Sequence, residues 1–480
     1  MVLLPHNPHA RVVSSTVLAI ATVALAACGD TARLQVDSGY GPDPQLPEPV
    51  TTTIPTVKVA AAQPWREGQT PTPAAGTTVR KFAGQLDHPR WVHVLPNGDV
   101  LVAETNAPKR PLRDELLGIK GKVMGFVMKR AGAATPSANR ITLLRDADGD
   151  GTAETRSVFL DNLNSPFGMA LVGNELFIAN TDAVVKVPYQ TGDTKASGPV
   201  TKVADLPGGD LNHHWTKGLI ASADGSRLYV SVGSNSNVAE HGMNHEEGRA
   251  AIWEFDRATG KGRIFASGLR NPVGMAWQGS VLWTSVNERD ELGSDLVPDY
   301  MTSVRDGGFY GWPYSYYGQR VDTRPQPPRP DLVAKAIKPD YALGNHTSSL
   351  GLSSAQGNSL GGGFAPTGMF VGQHGSWNRN PPSGYKVIYV PFSDAQPIGP
   401  PVDVLTGFLD DNGKALGRPV GVAIDRKGAL LVADDVGNVI WRVEGPNTLT
   451  TTPTPMPGAA PAPMAEPAAS MPEVPASAPG

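Results

Sequence analysis

Among its 480 residues the chain has a single cysteine, Cys28. That excludes an internal disulfide, a cysteine-based zinc site and covalent haem attachment through C-x-x-C-H, so any electron the protein handles must leave through another molecule. Charge is sparse too. Only 18% of residues are charged and the formal net charge is -4, so the basic excess needed to neutralise a phosphate backbone is missing and nucleic acid is excluded as a partner. Long apolar runs are also absent. "VLAIATVALAA" (Val17 to Ala27), which follows His6, His9 and Arg11, has the length of a signal-peptide hydrophobic region and is too short to span a bilayer. It ends in "LAAC", Leu25 to Cys28, the pattern of a bacterial lipobox. The expectation is a signal peptide over 1–27, lipidation at Cys28, and a protein held to a membrane on the periplasmic side of a bacterial envelope.

Glycine and proline, by contrast, are plentiful, at 54 and 45 residues. Part of this lies in two flanking segments. Residues 28–76 are rich in Pro and Thr, and residues 446–480 are Pro, Ala, Thr and Met with almost no charge. Neither composition buries enough apolar surface to offset the entropy of ordering, so both are expected to be disordered, a linker and a tail around one folded unit over 77–445.

Within that unit one pattern recurs: a polar or Pro start, an alternating apolar run, a glycine-containing turn and a second alternating run. It appears at 88–105 ("HPRWVHVLPNGDVLVAET"), 165–181, 214–234, 271–288, 360–377 and 418–435, six copies in all. Each reads as a β-hairpin, and the spacing of roughly 50 to 90 residues leaves room for two further strands per copy, the size of a propeller blade. The expected fold is all-β, a six-bladed β-propeller. Two stacked sandwiches would explain the strands without the regular recurrence. In a propeller the starts of the innermost strands gather at one mouth, which would bring together Pro89-Arg90-Trp91, Asn164-Ser165, His213-His214-Trp215, Arg270-Asn271, Gln373-His374 and Arg418. Positive and titratable groups converging in this way suit an anionic, planar ligand and proton transfer.

Five motifs in order, the His-containing hairpin at 214–234, "GLRNPVGMAW" (268–277), "NERDELGSDLVPDY" (287–300), "GQHGSWNR" (372–379) and "GRPVGVAIDRKGALLVADD" (417–435), resemble the glucose/sorbosone dehydrogenases, with the sorbosone branch nearest. These are six-bladed propeller oxidoreductases that use pyrroloquinoline quinone (PQQ). The resemblance runs from about Arg80 to Val443. It implies that His214 takes the proton from a sugar hydroxyl or hydrate while hydride passes to the quinone, and that Arg270 stabilises the oxyanion formed on the quinone. It also implies cofactor contacts from Arg270, Asn271 and Arg418, a cationic group on the fifth hairpin at His374 or Arg379, and a substrate contact near Asn164. The implied partners are a sugar and an external electron acceptor, a quinone or cytochrome.

The cofactor's usual companion is Ca2+, which by the same resemblance would sit at the "NERDELG" loop near Glu288, Asp290 and Glu291. A second acidic stretch, "DADGDGTAE", carries Asp146, Asp148 and Asp150 followed by Glu154. It begins like an EF-hand, but Ser157 stands at the twelfth position, which leaves structural calcium and an Asx-rich turn as equal readings. Two departures from the glucose enzymes are Val420, where a second arginine follows Arg418, and Lys217-Gly218 in place of Gly-Arg. In those enzymes the neighbour of the catalytic histidine is an acid, where this chain has His213. Trp215, Trp312 and Trp377 read as packing aromatics. Two rival functions are a calcium-dependent propeller lactonase or other hydrolase, and a surface binding propeller without catalysis.

Overall fold

The computed structural model describes residues 29–52, 56–109, 130–132, 135–446 and 448. Six four-stranded antiparallel sheets are arranged as the blades of a β-propeller. Blade 1 comprises Pro89–Val94, Val100–Glu104, Arg140–Arg145 and Thr155–Leu160, and blade 2 comprises Met169–Val172, Glu175–Ala179, Ala183–Pro188 and Thr201–Asp205. Blades 3, 4 and 5 begin with inner strands Leu219–Ala221, Pro272–Gln278 and Ser349–Ser354, and each gains a short fifth strand at its outer edge. Blade 6 takes Pro419–Ile424, Leu430–Asp434 and Val439–Glu444 from the C-terminal end and its outer strand, Thr78–Ala83, from the N-terminal side. This pairing closes the ring by joining the two ends of the folded unit within one blade.

The alternating runs bury both faces of each sheet because every blade is flanked by two others. The apolar core accordingly divides into six clusters, one per junction between neighbouring blades. The first also reaches the propeller axis, where Trp91, Phe167, Trp215, Val273, Leu350 and Val420, drawn from all six blades, fill the centre. Inner strands approach too closely there for side chains. A Cβ on Gly274 would lie 2.5 Å from Leu352 N and 2.7 Å from Leu350 O of the next blade.

Two expectations are corrected by the structure. The fifth hairpin is not 360–377. Its inner strand is Ser349–Ser354, its second strand is Met369–Gln373, and the residues between them form one long turn. His374 therefore leaves a second strand, though at the same face of the propeller. The described part of 28–76 is also no free linker. Tyr40–Gly41 pairs with Ala342 and Leu343, Lys58 N–H donates to Trp377 O (2.7 Å), Ala62 N–H to Arg130 O (2.9 Å) and Trp65 Nε1 to Asp434 (2.8 Å). Trp65 also packs edge-on against Phe408 and Trp441. Backbone hydrogen bonds and a few large anchors hold a segment whose own composition is poor in apolar residues. The signal peptide, Cys28 and the tail from 449 onward lie outside the described residues.

Candidate active site

His214 precedes the inner strand of blade 3. Its ring Nδ1 lies 2.9 Å from Ser234 O and 3.0 Å from Ser234 Oγ, so an Nδ1–H tautomer donating to the carbonyl leaves Nε2 as the acceptor. Burial, followed by the charges of His213 and Arg270, pushes its pKa well below the ordinary 6.5, which keeps the ring neutral. Gly233 makes room for it. A Cβ there would come within 2.5 Å of His214 Cβ and collide with Asn271 Oδ1, an atom that is itself buried without a hydrogen-bond partner.

The backbone behind His214 is pinned. Trp215 O accepts from Thr181 Oγ1 (2.9 Å) and from Lys217 Nζ (3.1 Å). Thr181 in turn accepts from Asn212 Nδ2 (2.6 Å), whose Oδ1 accepts from Arg249 (2.9 Å). Lys217 is fully buried, and burial and Arg249 lower its pKa far below 10.5.

Arg270 is buried and committed. Nε donates to Asn237 O, Nη1 to Asn287 O and Glu288 O, and Nη2 to Asn237 Oδ1 and to Asp290 (2.8 Å), which accounts for all five N–H groups. As placed, it organises two loops and presents no spare donor to a ligand. Arg379, also buried, pairs with Asp295 (3.3 Å) and donates to Pro381 O, apart from the cluster around His374. Asn164 donates to Asp182 (2.8 Å) and lines an open cleft of about 860 Å³ with Asn106, Ser165, Thr181 and Asn212.

Arg418 and His374 do come together, with residues from blade 1. Asp435, fully buried, receives His374 Nε2 (2.9 Å) and Arg90 Nη1 (2.7 Å), with His88 Nε2 at 3.4 Å. These residues, Arg418 and Trp377 line a cavity of about 110 Å³. Arg90 lies over the Trp215 ring (5.6 Å), which links this cluster to the residue next to His214. Trp215 is thus a packing aromatic of the axial cluster whose ring face also carries the Arg90 guanidinium. The cations hold Asp435 far below the ordinary carboxylate range, and burial lowers His88 to about 4.

The acidic candidates behave differently. At 287–291, Glu288 O accepts from Arg270 (2.6 Å), Asp290 O from Arg289 and Asn237, and Glu291 pairs with Arg324 (2.7 Å). Burial raises the Glu288 carboxyl to about 7. The loop's oxygens already serve guanidinium and amide donors, so as they stand they do not form a calcium cage. Among the described residues, Asp146, Asp148, Asp150 and Glu154 are the acidic group whose ligand atoms all lie within 4.8 Å of one another. Lys427 Nζ already sits on Asp146 (3.0 Å).

Comparison with known proteins fits this architecture. The TrAA12-like family model matches residues 137–303 and 331–446, more than half of the chain. The chain belongs to the TrAA12-like family. A pyrroloquinoline quinone-dependent pyranose dehydrogenase from Coprinopsis cinerea is 24% identical over 366 residues, covering 63% of this chain but only 49% of that protein. An uncharacterized Borreliella burgdorferi protein is 27% identical over 293 residues, 58% of this chain and 76% of that one. Among solved structures, the holo PQQ domain of the Coprinopsis cinerea pyranose dehydrogenase superposes with a TM-score of 0.60 at 21% identity, over 78% of this chain and 97% of that domain. The calcium structure of a Trichoderma reesei family AA12 enzyme gives 0.60 at 18% identity, over 81% and 98%. The structural likenesses establish the fold.

Proposed function

We propose that this TrAA12-like protein is a PQQ-dependent sugar dehydrogenase in which His214 is the general base. The observation that carries the reading is His214 itself, a neutral imidazole with Nδ1 fixed by Ser234 at the mouth of a propeller whose relatives include a PQQ-dependent pyranose dehydrogenase. The site's chemistry fits the cofactor: Arg90 Nε and Arg418 Nε are buried donors without acceptors, as an anionic, planar ligand would need. When bound, the quinone supplies the two-electron acceptor.

The protein's own groups do the rest. His214 Nε2 accepts the proton of the sugar hydroxyl or hydrate as the C–H electron pair departs. Ser234 holds the ring, and the carbonyl of Trp215, gripped by Thr181 and Lys217, fixes the backbone on which the ring stands. Arg270 acts as a positioning residue that shapes the loops at 235–237 and 287–290. Arg418 and His374 would hold carboxylates of the cofactor, Asn164 lies along the cleft by which a sugar would enter, and Arg379 has a structural part. The same reading has the chain anchored at Cys28 and passing electrons to a separate quinone or cytochrome, in accord with the lipobox and the lack of a haem motif. A lactonase reading finds less support, since the mouth offers no carboxylate cage among the described residues.

The test is dye reduction by the purified chain with PQQ and Ca2+ across aldoses, sorbosone-like sugars and polyols. Sugar-dependent reduction that His214→Ala abolishes supports the proposal; no reduction with any sugar defeats it.

A further inference from the structure

Between the second and third strands of blade 3, residues 233–250 fold back on the mouth in place of a short turn. A one-turn 3-10 helix, Met243–Glu246, ends in a carboxylate that the proton transfer does not touch. Glu246 is only 5% exposed and both of its oxygens are occupied, Oε2 by the Asn235 N–H (2.7 Å) and Oε1 by the Ser236 hydroxyl. Arg249 stands near but directs its Nη groups elsewhere, to Gly233 O (3.0 Å), Pro207 O (2.9 Å), Gly208 O (2.6 Å) and Asn212 Oδ1 (2.9 Å). A carboxylate buried against two neutral donors is costly, and burial raises its pKa. What it holds is the turn beside the base.

The hydroxyl of Ser234 has one proton, and it goes to Ser236 O (2.7 Å). Ser234 Oγ, 3.0 Å from His214 Nδ1, is therefore left to accept, and Ser234 O, 2.9 Å from the same nitrogen, is an acceptor by nature. Both neighbours of Nδ1 require the ring proton to be there. With Ser236 O displaced, the Ser234 hydroxyl is free to turn and donate to Nδ1, which sends the ring proton to Nε2 and removes the acceptor a sugar needs. Asn235, between the two serines, is fixed by its own amide: Nδ2 donates to His245 O (2.7 Å) and Oδ1 accepts from His213 N–H (3.3 Å). One residue further on, Asn237 Oδ1 accepts from Arg270 (3.1 Å) and from Asp290 N–H (2.8 Å).

We infer that Glu246 is a positioning residue for the general base: by holding Asn235 and Ser236 it keeps Ser236 O as the acceptor of the Ser234 hydroxyl, and so keeps the proton of His214 on Nδ1 and Nε2 open. The inference deepens the proposed function and rests on it for the role of His214; the tautomer itself is read without any turnover. Glutamine cannot replace the acid, because its amide accepts from one of the two donors and opposes the other.

Long-range proton–nitrogen NMR of the full chain labelled with 15N in its histidine rings, with the His214 signals identified by their loss in His214→Ala, tests this. The unaltered chain is expected to hold His214 as the Nδ1–H tautomer. Glu246→Gln and Ser236→Ala are expected to populate the Nε2–H form and to lower kcat for sugar-dependent dye reduction about tenfold to a hundredfold with KM little changed. Ser236→Thr keeps the hydroxyl and is expected to restore both readouts. Trp283→Ala, which opens the apolar junction between blades 4 and 5, controls for lost stability and is expected to leave the tautomer alone. Ser236→Ala decides the matter if Glu246→Gln does not fold. Cooperatively melting Glu246→Gln and Ser236→Ala proteins that keep His214 wholly Nδ1–H overturn the inference, as does a tautomer change of the same size in Trp283→Ala. If the tautomer responds as expected but the unaltered chain oxidises no sugar, the positioning role stands and the dehydrogenase reading fails.

Discussion

At the scale of single residues, burial fixes the protonation of the groups that matter most. His214 is neutral far below pH 6.5, so the acid limb of the rate profile is expected to lie below the ordinary histidine range; a limb at 6.5 or above would mean that another group is the base. Replacing His214 by Ala is expected to lower kcat about 10²- to 10⁴-fold. Gly233→Ala drives a Cβ into His214 and Asn271, with an expected loss of about 1–3 kcal/mol in denaturant unfolding and a further fall in turnover. His88 makes a separate prediction about stability. Its folded pKa of about 4 lies below the unfolded 6.5, so its contribution is present above pH 6.5 and is lost as pH falls through about 4. Asp434, raised to about 6, works in the opposite sense, so the effect is read as a difference. Between pH 6.5 and 4 the unaltered protein should lose on the order of 3 kcal/mol relative to His88→Gln.

At the scale of elements, the N-terminal segment carries the largest surprise. Its local composition argued for disorder, and nothing within it signals that Tyr40, Lys58 and Trp65 find partners some three hundred residues later. Trp65→Ala is expected to destabilise the chain by about 3 kcal/mol, measured by chemical denaturation, because it removes the aromatic that contacts Phe408, Trp441 and Asp434 together. The hairpins were far more legible. Five of the six have the positions that their short apolar runs and turn residues indicate, since a run of four to eight largely apolar residues bounded by turn signals marks a strand buried on both faces. The fifth was misplaced because Ser349–Ser354 ("SLGLSS") has little apolar content and its turn to Met369 is long, whereas the glycine-rich stretch that follows imitates a strand start.

At the scale of the whole molecule, the ring is what makes the site. Arg90 and Asp435 meet across the blade 6 to blade 1 junction, 345 positions apart in the chain, and only closure brings them into contact. The sequence marked "HPR" as a strand start and "ADD" as a strand end at the same face, but the pairing of one with the other is a property of the closed propeller. The same holds for Arg270, whose motif was visible while its full commitment to the loops at 237 and 287–290 was not. Removal of residues up to Ala83 takes away the strand that closes blade 6 and is expected to abolish cooperative thermal unfolding altogether, whereas a truncation ending at Cys28 should leave the melting transition in place.

A paired titration and turnover assay of the unaltered chain and His214→Ala with PQQ decides whether His214 is the base. Both should bind the cofactor with similar affinity, and only the unaltered chain should reduce dye when sugar is added. An unaltered chain that fails to bind, or a His214→Ala variant that turns over as fast as its parent, would contradict that assignment.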